Sequence, residues 1–233
     1  MAVVGAHGHD ELARYYVWDR LVRATHWVIA LSIAVLAVTG FYLGHPFLST
    51  PGEARAHFTT GWAKVFHFYA AIAFSLAVGA RLVWMVRGPR HSGWRNFMPV
   101  SRRRWRDLGK TLQFYLLIRR TPPTTIGHNP LAGLSYLAVF GMYLVMIATG
   151  LALYAVSSHS YMHHFAFLVR AFHGVQWTRW IHHLTMWGII AFAVAHTFFA
   201  MLTSRNEKNG ELDSIFSGYK FLPKDQPPDD KDV

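Results

Sequence analysis

Histidine is the residue type in this chain that is best placed to do chemistry, because five of the fifteen histidines fall within or at the edges of long apolar segments. They are His26, His67, His182, His183 and His196. A histidine inside a membrane is costly unless it faces a partner or binds a cofactor. Imidazole nitrogens bind iron and other transition metals, so each of the five is a candidate metal ligand.

The spacing of the last three histidines puts the neighbours His182 and His183 on different faces of a helix. On an α-helix, His182 and His196 share one face, about 40° short of four full turns and about 21 Å apart along the axis. His183 instead lies about 140° away from His196, on another face. Ligands that far apart cannot share one ion, so the pattern predicts two stacked sites, each completed by a second helix.

Four apolar segments must position these histidines, and each is long enough to cross a bilayer, which takes about 20 residues. Arg81 is the only charged side chain inside them, although the chain carries 23 Lys and Arg and 12 acidic residues. A soluble bundle would need a polar face on each helix. We therefore expect an all-α membrane protein, a four-helix transmembrane bundle. Its helices are expected at about 24–43, 65–86, 131–156 and 180–203.

The basic residues outside these segments predict the orientation. Eighteen Lys and Arg lie before the first helix, between the second and third, and after the fourth, against four in the other two loops. Cytoplasmic loops carry the excess of Lys and Arg, so both termini are expected in the cytoplasm. The expected parts are a cytoplasmic segment 1–23, a transmembrane domain 24–203 and a partly disordered cytoplasmic tail 204–233. Membrane lipid, not nucleic acid, is the expected partner of the basic middle loop.

This topology sorts the histidines into two pairs. His67 and His182 are expected near the outer surface, and His26 and His196 near the cytoplasmic surface. Two imidazoles facing each other across a bundle are typical axial ligands of a b-type haem. The chain has no cysteine, which excludes c-type haem and cysteine-bound iron–sulfur clusters within it. The pattern predicts two haem b groups.

Two further residues are expected to accommodate these haems. Gly40 follows His26 by about four helical turns, at the depth of the outer pair, where it leaves room for a porphyrin; close helix packing is its alternative role. Arg81 follows His67 with the same spacing and is expected to neutralise a propionate of the inner haem. The alternative is an arginine that reaches the cytoplasmic headgroups.

Several short motifs occur along the chain. They are YVWDRLVRATHW at 16–27, VTGFYLG at 38–44, IGHNP at 126–130, TGLALY at 149–154, HHLTMW at 182–187 and SGYK at 217–220. As a set, they resemble the cytochrome b subunit of membrane-bound nickel–iron hydrogenases, over roughly residues 15–220. The gamma subunit of formate dehydrogenase and thiosulfate reductase cytochrome b are similar.

The resemblance implies a di-haem anchor in the bacterial inner membrane. Such a subunit accepts electrons from the iron–sulfur small subunit of a periplasmic hydrogenase and passes them to quinone. The shared histidine scheme corresponds to His26, His67, His182 and His196. His183 departs from the family pattern, in which a basic residue such as arginine is expected at this position.

A quinone site is expected beside the inner haem. His128 and Asn129, before the third helix, and Arg23, before the first, could hydrogen-bond a quinone carbonyl or supply protons. The alternative for His128 and Asn129 is a capping turn that starts the third helix.

Other functions are compatible with the same residues. One is a cytochrome b of another respiratory complex, such as formate dehydrogenase or thiosulfate reductase, or a stand-alone quinone-linked cytochrome b. Another is a histidine-lined metal transporter, for which acidic ligands inside the membrane would be expected. The apolar segments contain no acidic residue.

Overall fold

A computed structural model describes residues 12–47, 58–89, 93–94, 97–98, 101–116, 118, 130–157, 161–207 and 210–223. In chain order, the elements are β1 (Leu12–Tyr16), α1 (Arg20–Gly44), α2 (Thr59–Arg87), α3 (Arg102–Tyr115), α4 (Pro130–Ser157), a 3-10 helix (Tyr161–Ala166), α5 (Phe167–Ala171), α6 (Val175–Glu207), α7 (Glu211–Ser217) and β2 (Tyr219–Pro223).

Four helices of the described residues, α1, α2, α4 and α6, are long and apolar enough to cross a membrane. This confirms the predicted fold class, a helical membrane protein with four spans. The helices continue beyond the apolar segments expected from the sequence, and α6 reaches Glu207. A helix satisfies its own backbone hydrogen bonds, so it can run on into the headgroup region where polar side chains are tolerated.

The structure divides into two compact units. The first, which we call the helical unit, comprises Ala24–Leu82 and Leu137–Val194. The second, which we call the terminal unit, comprises Met1–Arg23, Val83–Tyr136 and Ala195–Val233.

One apolar core joins all four long helices within the helical unit. Its buried residues come from α1, α2, α4 and α6 and are Ile29, Phe74, Ala77, Val78, Val139, Tyr143 and Ile189. The rings of Phe74 and Tyr143 meet edge to face, with centroids 5.1 Å apart. Other apolar side chains of the same helices point outward, and Leu31, Leu76 and Val194 are 66%, 69% and 67% exposed. Lipid is the environment in which such surfaces are stable.

The terminal unit joins the two ends of the chain. Strands β1 and β2 pair antiparallel, with Tyr16 opposite Tyr219. The backbone N–H groups of Val17 and Trp18 both donate to the carbonyl of Gly218, and Trp18 Nε1 donates to Ser214 Oγ at 3.0 Å. Two of the sequence motifs, YVWD and SGYK, therefore meet here. The sheet was not predicted, because its two short strands come from opposite ends of the chain.

Gly218 has a positive φ of 90°, and this position requires glycine. A Cβ atom there would lie 2.8 Å from the carbonyl oxygen of Trp18, which is too close for any side chain. The same region starts the first long helix. One carboxylate oxygen of Asp19 accepts the N–H of Val22 at 2.9 Å, as in a helix N-cap, and the other accepts Trp84 Nε1 at 2.8 Å.

Candidate metal centre

His67, on α2, is held by a threonine of α1. The hydroxyl oxygen of Thr39 lies 2.8 Å from Nδ1 of His67 and 2.7 Å from the carbonyl oxygen of Val35, one turn earlier in its own helix. A hydroxyl has one proton, and the backbone carbonyl can only accept it. The Thr39 oxygen then accepts the proton of Nδ1, so His67 carries its hydrogen on Nδ1.

Gly40, the next residue, lets α1 approach the same ring. A Cβ atom at Gly40 would lie 3.4 Å from Cε1 of His67 and 3.8 Å from Sδ of Met186 on α6. The sequence placed Gly40 at the depth of the outer pair, and the structure brings it against the imidazole of His67, a member of that pair. Met186 lies one turn after His182, so α6 also reaches this position.

His182, on α6, is held in the same way by α4. The Thr149 hydroxyl oxygen lies 2.8 Å from Nδ1 of His182 and 2.7 Å from the carbonyl oxygen of Val145. A Cβ atom at Gly150 would lie 3.5 Å from Cε1 of His182. Two helix pairs thus present one arrangement, in which a threonine fixes Nδ1 and the following glycine admits the ring. We call each of these arrangements a Thr–Gly clasp.

The clasps prepare both imidazoles for metal binding. With the hydrogen on Nδ1, a neutral imidazole keeps its lone pair on Nε2, and ligating histidines usually donate their other N–H to an acceptor in this way. Two neutral imidazoles on opposing helices fit the axial positions of a haem iron. Within the described part of the chain, no group of three or more His, Asp or Glu side chains forms a metal site by itself.

His183 is placed differently from its neighbour. Its ring is exposed and faces Gly44 at the end of α1, where a Cβ atom would lie 3.7 Å from Cε1. The helical spacing predicts the same difference, because it puts His182 and His183 on different faces of α6.

The second predicted pair is His26 and His196. His26 belongs to the helical unit and His196 to the terminal unit. Nδ1 of His196 lies 3.5 Å from the hydroxyl oxygen of Tyr136, and their ring centroids are 5.7 Å apart. His26 is half-buried on α1, with its ring edge-on to Trp27 at 5.3 Å.

The remaining predicted residues have varied surroundings. Arg81 is buried on α2, at 6% exposure, although its helix is apolar. Nη1 of Arg23 donates to the backbone carbonyl of Phe216 on α7, and its Nε atom is buried. His128 and Asn129 lie outside the described residues.

Thr39, Thr149 and Gly150 were not singled out as site residues from the sequence. Threonine bonded to its own helix is common in apolar helices, so one Thr-Gly pair carries little information. The repetition of the Thr-Gly pair could have identified these residues, since TG occurs in both VTGFYLG and TGLALY, on two separate spans.

Comparison with known proteins completes the description of the site. Residues 17–218 match the family model of prokaryotic cytochrome b561. The chain is 34% identical to a "Probable Ni/Fe-hydrogenase B-type cytochrome subunit" of Cupriavidus necator over 210 residues, which cover 88% of this chain and 86% of the relative. It is 32% identical to the protein of the same name from Azotobacter vinelandii, covering 91% and 90%. It is also 32% identical to the "Probable Ni/Fe-hydrogenase 1 B-type cytochrome subunit" of Escherichia coli K12, covering 91% and 92%.

Proposed function

Because the chain belongs to the prokaryotic cytochrome b561 family, and so is a multi-pass b-type cytochrome of the bacterial inner membrane, we propose that it is the membrane subunit of a nickel–iron hydrogenase complex. The names of its relatives support this role. The subunit receives electrons from the iron–sulfur small subunit of the hydrogenase and delivers them to quinone.

The observation that carries the proposal is the pair of Thr–Gly clasps. His67 and His182 would hold the outer haem, and each would offer Nε2 because its Nδ1 is occupied by a threonine. A bound haem b supplies an iron that alternates between the ferric and ferrous states and so carries one electron at a time. The protein orients both imidazoles through these hydrogen bonds.

His26 and His196 are the ligands of a second, inner haem. Their assignment rests on helix geometry, since His196 follows His182 by about four turns on the continuous helix α6. Gly40 and His26 have the same spacing on α1. Arg81, which is buried and follows His67 on α2 with this spacing too, would neutralise a propionate of the inner haem.

The charge distribution supports a periplasmic position for the outer pair. The excess of Lys and Arg before α1, between α2 and α4, and after α6 assigns these regions to the cytoplasm. Pairing of β1 with β2 supports this assignment, because it requires both terminal segments to lie on the same side. The chain has no cysteine, so an iron–sulfur donor must sit on a partner at the periplasmic face.

Helix α3 lies in the basic cytoplasmic loop and meets the lipid headgroups. Trp105 and Leu112 are about two turns apart on one face of this helix, and both are exposed. Arg102 and Arg106 are exposed on the flank of that face. An apolar stripe flanked by basic side chains is typical of a helix that lies in the headgroup region of an anionic membrane.

Quinone is reduced near the inner haem, at the cytoplasmic end of α1. Arg23 is fixed there by its bond to the carbonyl of Phe216 and can donate to a quinone carbonyl. His128 and Asn129, which lie outside the described residues, are the other candidates for this site: the histidine can supply protons and the amide can hydrogen-bond a quinone carbonyl. Electrons that move inward to meet cytoplasmic protons make the reaction electrogenic.

This function can be tested in inner-membrane vesicles that contain the chain together with the hydrogenase encoded in the same genome. Hydrogen should reduce the b-type haem and then an added quinone. The His67→Ala and His182→Ala double variant should leave hydrogen oxidation by an artificial dye intact and abolish quinone reduction. Formate or thiosulfate enzymes that reduce the haem, with hydrogen inactive, would contradict the proposed partner.

A further inference from the structure

The two clasp threonines carry an inference that rests on the proposed ligation of one haem by His67 and His182. We propose that Thr39 and Thr149 are positioning residues that hold both axial imidazoles as strong electron donors and so keep the reduction potential of the outer haem low. Their hydroxyl groups act through the imidazoles and do not touch the iron.

The direction of the hydrogen bonds makes each threonine a strong acceptor. Each threonine hydroxyl donates to a backbone carbonyl of its own helix, Val35 for Thr39 and Val145 for Thr149, at 2.7 Å in both cases. A hydroxyl that already donates is a stronger acceptor, because chains of hydrogen bonds polarise one another. Both imidazoles donate from Nδ1 into such a chain at 2.8 Å.

These hydrogen bonds change the reduction potential of the iron that the imidazoles would bind. An acceptor at Nδ1–H raises the basicity of the imidazole and therefore its donation through Nε2. Stronger donation stabilises the ferric state more than the ferrous state, so the reduction potential falls. Removing the acceptor shifts the potential to more positive values.

The bond from His182 is secluded, whereas Thr39 is half-buried. Thr149 is 0% exposed, so water cannot replace its hydroxyl if the side chain loses the oxygen. Gly40 and Gly150 bring the helix backbones against the same rings and keep them in place. Valine matches threonine in shape but lacks the hydroxyl, whereas serine keeps the hydroxyl and loses only the methyl group. The two substitutions separate hydrogen bonding from packing.

The two threonines act on the same iron if their histidines bind one haem. If His67 and His182 bind one haem, both threonines act on one redox transition. Thr39→Val and Thr149→Val should then shift the same transition of the two expected for a di-haem chain. The double variant should shift it further than either single change, and the other transition should stay in place.

The experiment is a potentiometric titration of the purified full-length chain in lipid nanodiscs, followed in the haem α band. We expect Thr39→Val and Thr149→Val to move one transition to more positive potential, and Thr39→Ser and Thr149→Ser to leave it close to wild type. Haem content is measured on the same samples. Electron–nuclear double resonance of the oxidised wild type should show strongly hydrogen-bonded, exchangeable imidazole protons, and this holds even if a valine variant loses its haem.

Three results would overturn the inference. They are valine variants with full haem content and unchanged potentials, valine and serine variants with equal shifts, and wild-type imidazole protons without a strong hydrogen bond. Shifts of two different transitions would show that His67 and His182 serve different haems. A wild-type chain that binds no haem through these histidines would instead refute the proposed function, and the haem content reveals that separately.

Discussion

The two histidine pairs differ in how their imidazoles are held. In the outer pair, His67 and His182 each donate from Nδ1 to a threonine at 2.8 Å. In the inner pair, His196 has a tyrosine hydroxyl at 3.5 Å, near the limit of a hydrogen bond. The proposed outer pair thus has two matched acceptors at 2.8 Å. We therefore expect a low potential for the proposed outer haem.

This difference has a consequence for electron flow. If the outer haem has the lower potential, transfer from it to the inner haem is downhill. That direction agrees with a donor at the periplasmic face and quinone reduction at the cytoplasmic face. The hydrogen bonds to the ligands, rather than the ligands themselves, distinguish the two sites.

The largest expected effect comes from removing an outer ligand. His182→Ala should reduce the haem content from two per chain to one, because the outer haem would lose one of its two proposed imidazole ligands. His183→Ala is the matched control and should retain both haems, since His183 faces Gly44. Pyridine haemochrome assay of the purified variants measures the ratio. Loss of haem in the His183 variant alone would reverse the assignment.

A smaller effect is expected from filling a clasp. Gly40→Leu should push the ring of His67 aside, and overpacking of about 1–3 kcal/mol corresponds to roughly fivefold to 150-fold weaker haem binding. Gly79→Leu on α2 is the control, because a Cβ atom there meets nothing within 4 Å. Haem retention during dilution or competition with apomyoglobin measures the change. Equal retention in both variants would show that the close approach at Gly40 is not required.

Arg81 tests the inner site. A nearby positive charge favours the ferrous state, so Arg81→Gln should shift the inner transition to more negative potential and leave the outer transition unchanged. Arg81→Lys keeps the charge and should shift it less. Potentiometric titration separates the two transitions. A shift of the outer transition instead would place Arg81 at the other haem.

The smallest expected effect comes from Tyr136→Phe. This change removes the hydroxyl next to His196 and leaves the aromatic ring, so the inner transition should move less than the outer one moves in Thr149→Val. Both variants are compared in the same potentiometric titration. An equal or larger shift in the Tyr136 variant would show that the two pairs are held with similar strength.

The spans, and the shared face of His182 and His196 on α6, could be predicted because each depends on local sequence. Apolar length indicates a membrane helix, and the shared face of His182 and His196 follows from helix geometry. These properties need no knowledge of neighbouring helices.

The clasps could not be predicted in this way, because they exist only where two helices meet. Thr39 and His67 lie on consecutive spans, and Thr149 and His182 lie on α4 and α6 with two short helices between them. Which residue faces which imidazole depends on the rotation and depth of each helix, and neither follows from hydropathy. The β1–β2 sheet escaped prediction for a related reason, since its pairing joins segments that are remote in the sequence.

The central claim is that this chain binds two haem b groups through paired histidines. The most direct test is the reduced-minus-oxidised optical spectrum of the purified full-length chain, combined with its haem-to-protein ratio. We predict a low-spin b-type α band on reduction with dithionite and two haems per chain. A spectrum without that band, or a ratio of one haem per chain, would contradict the claim.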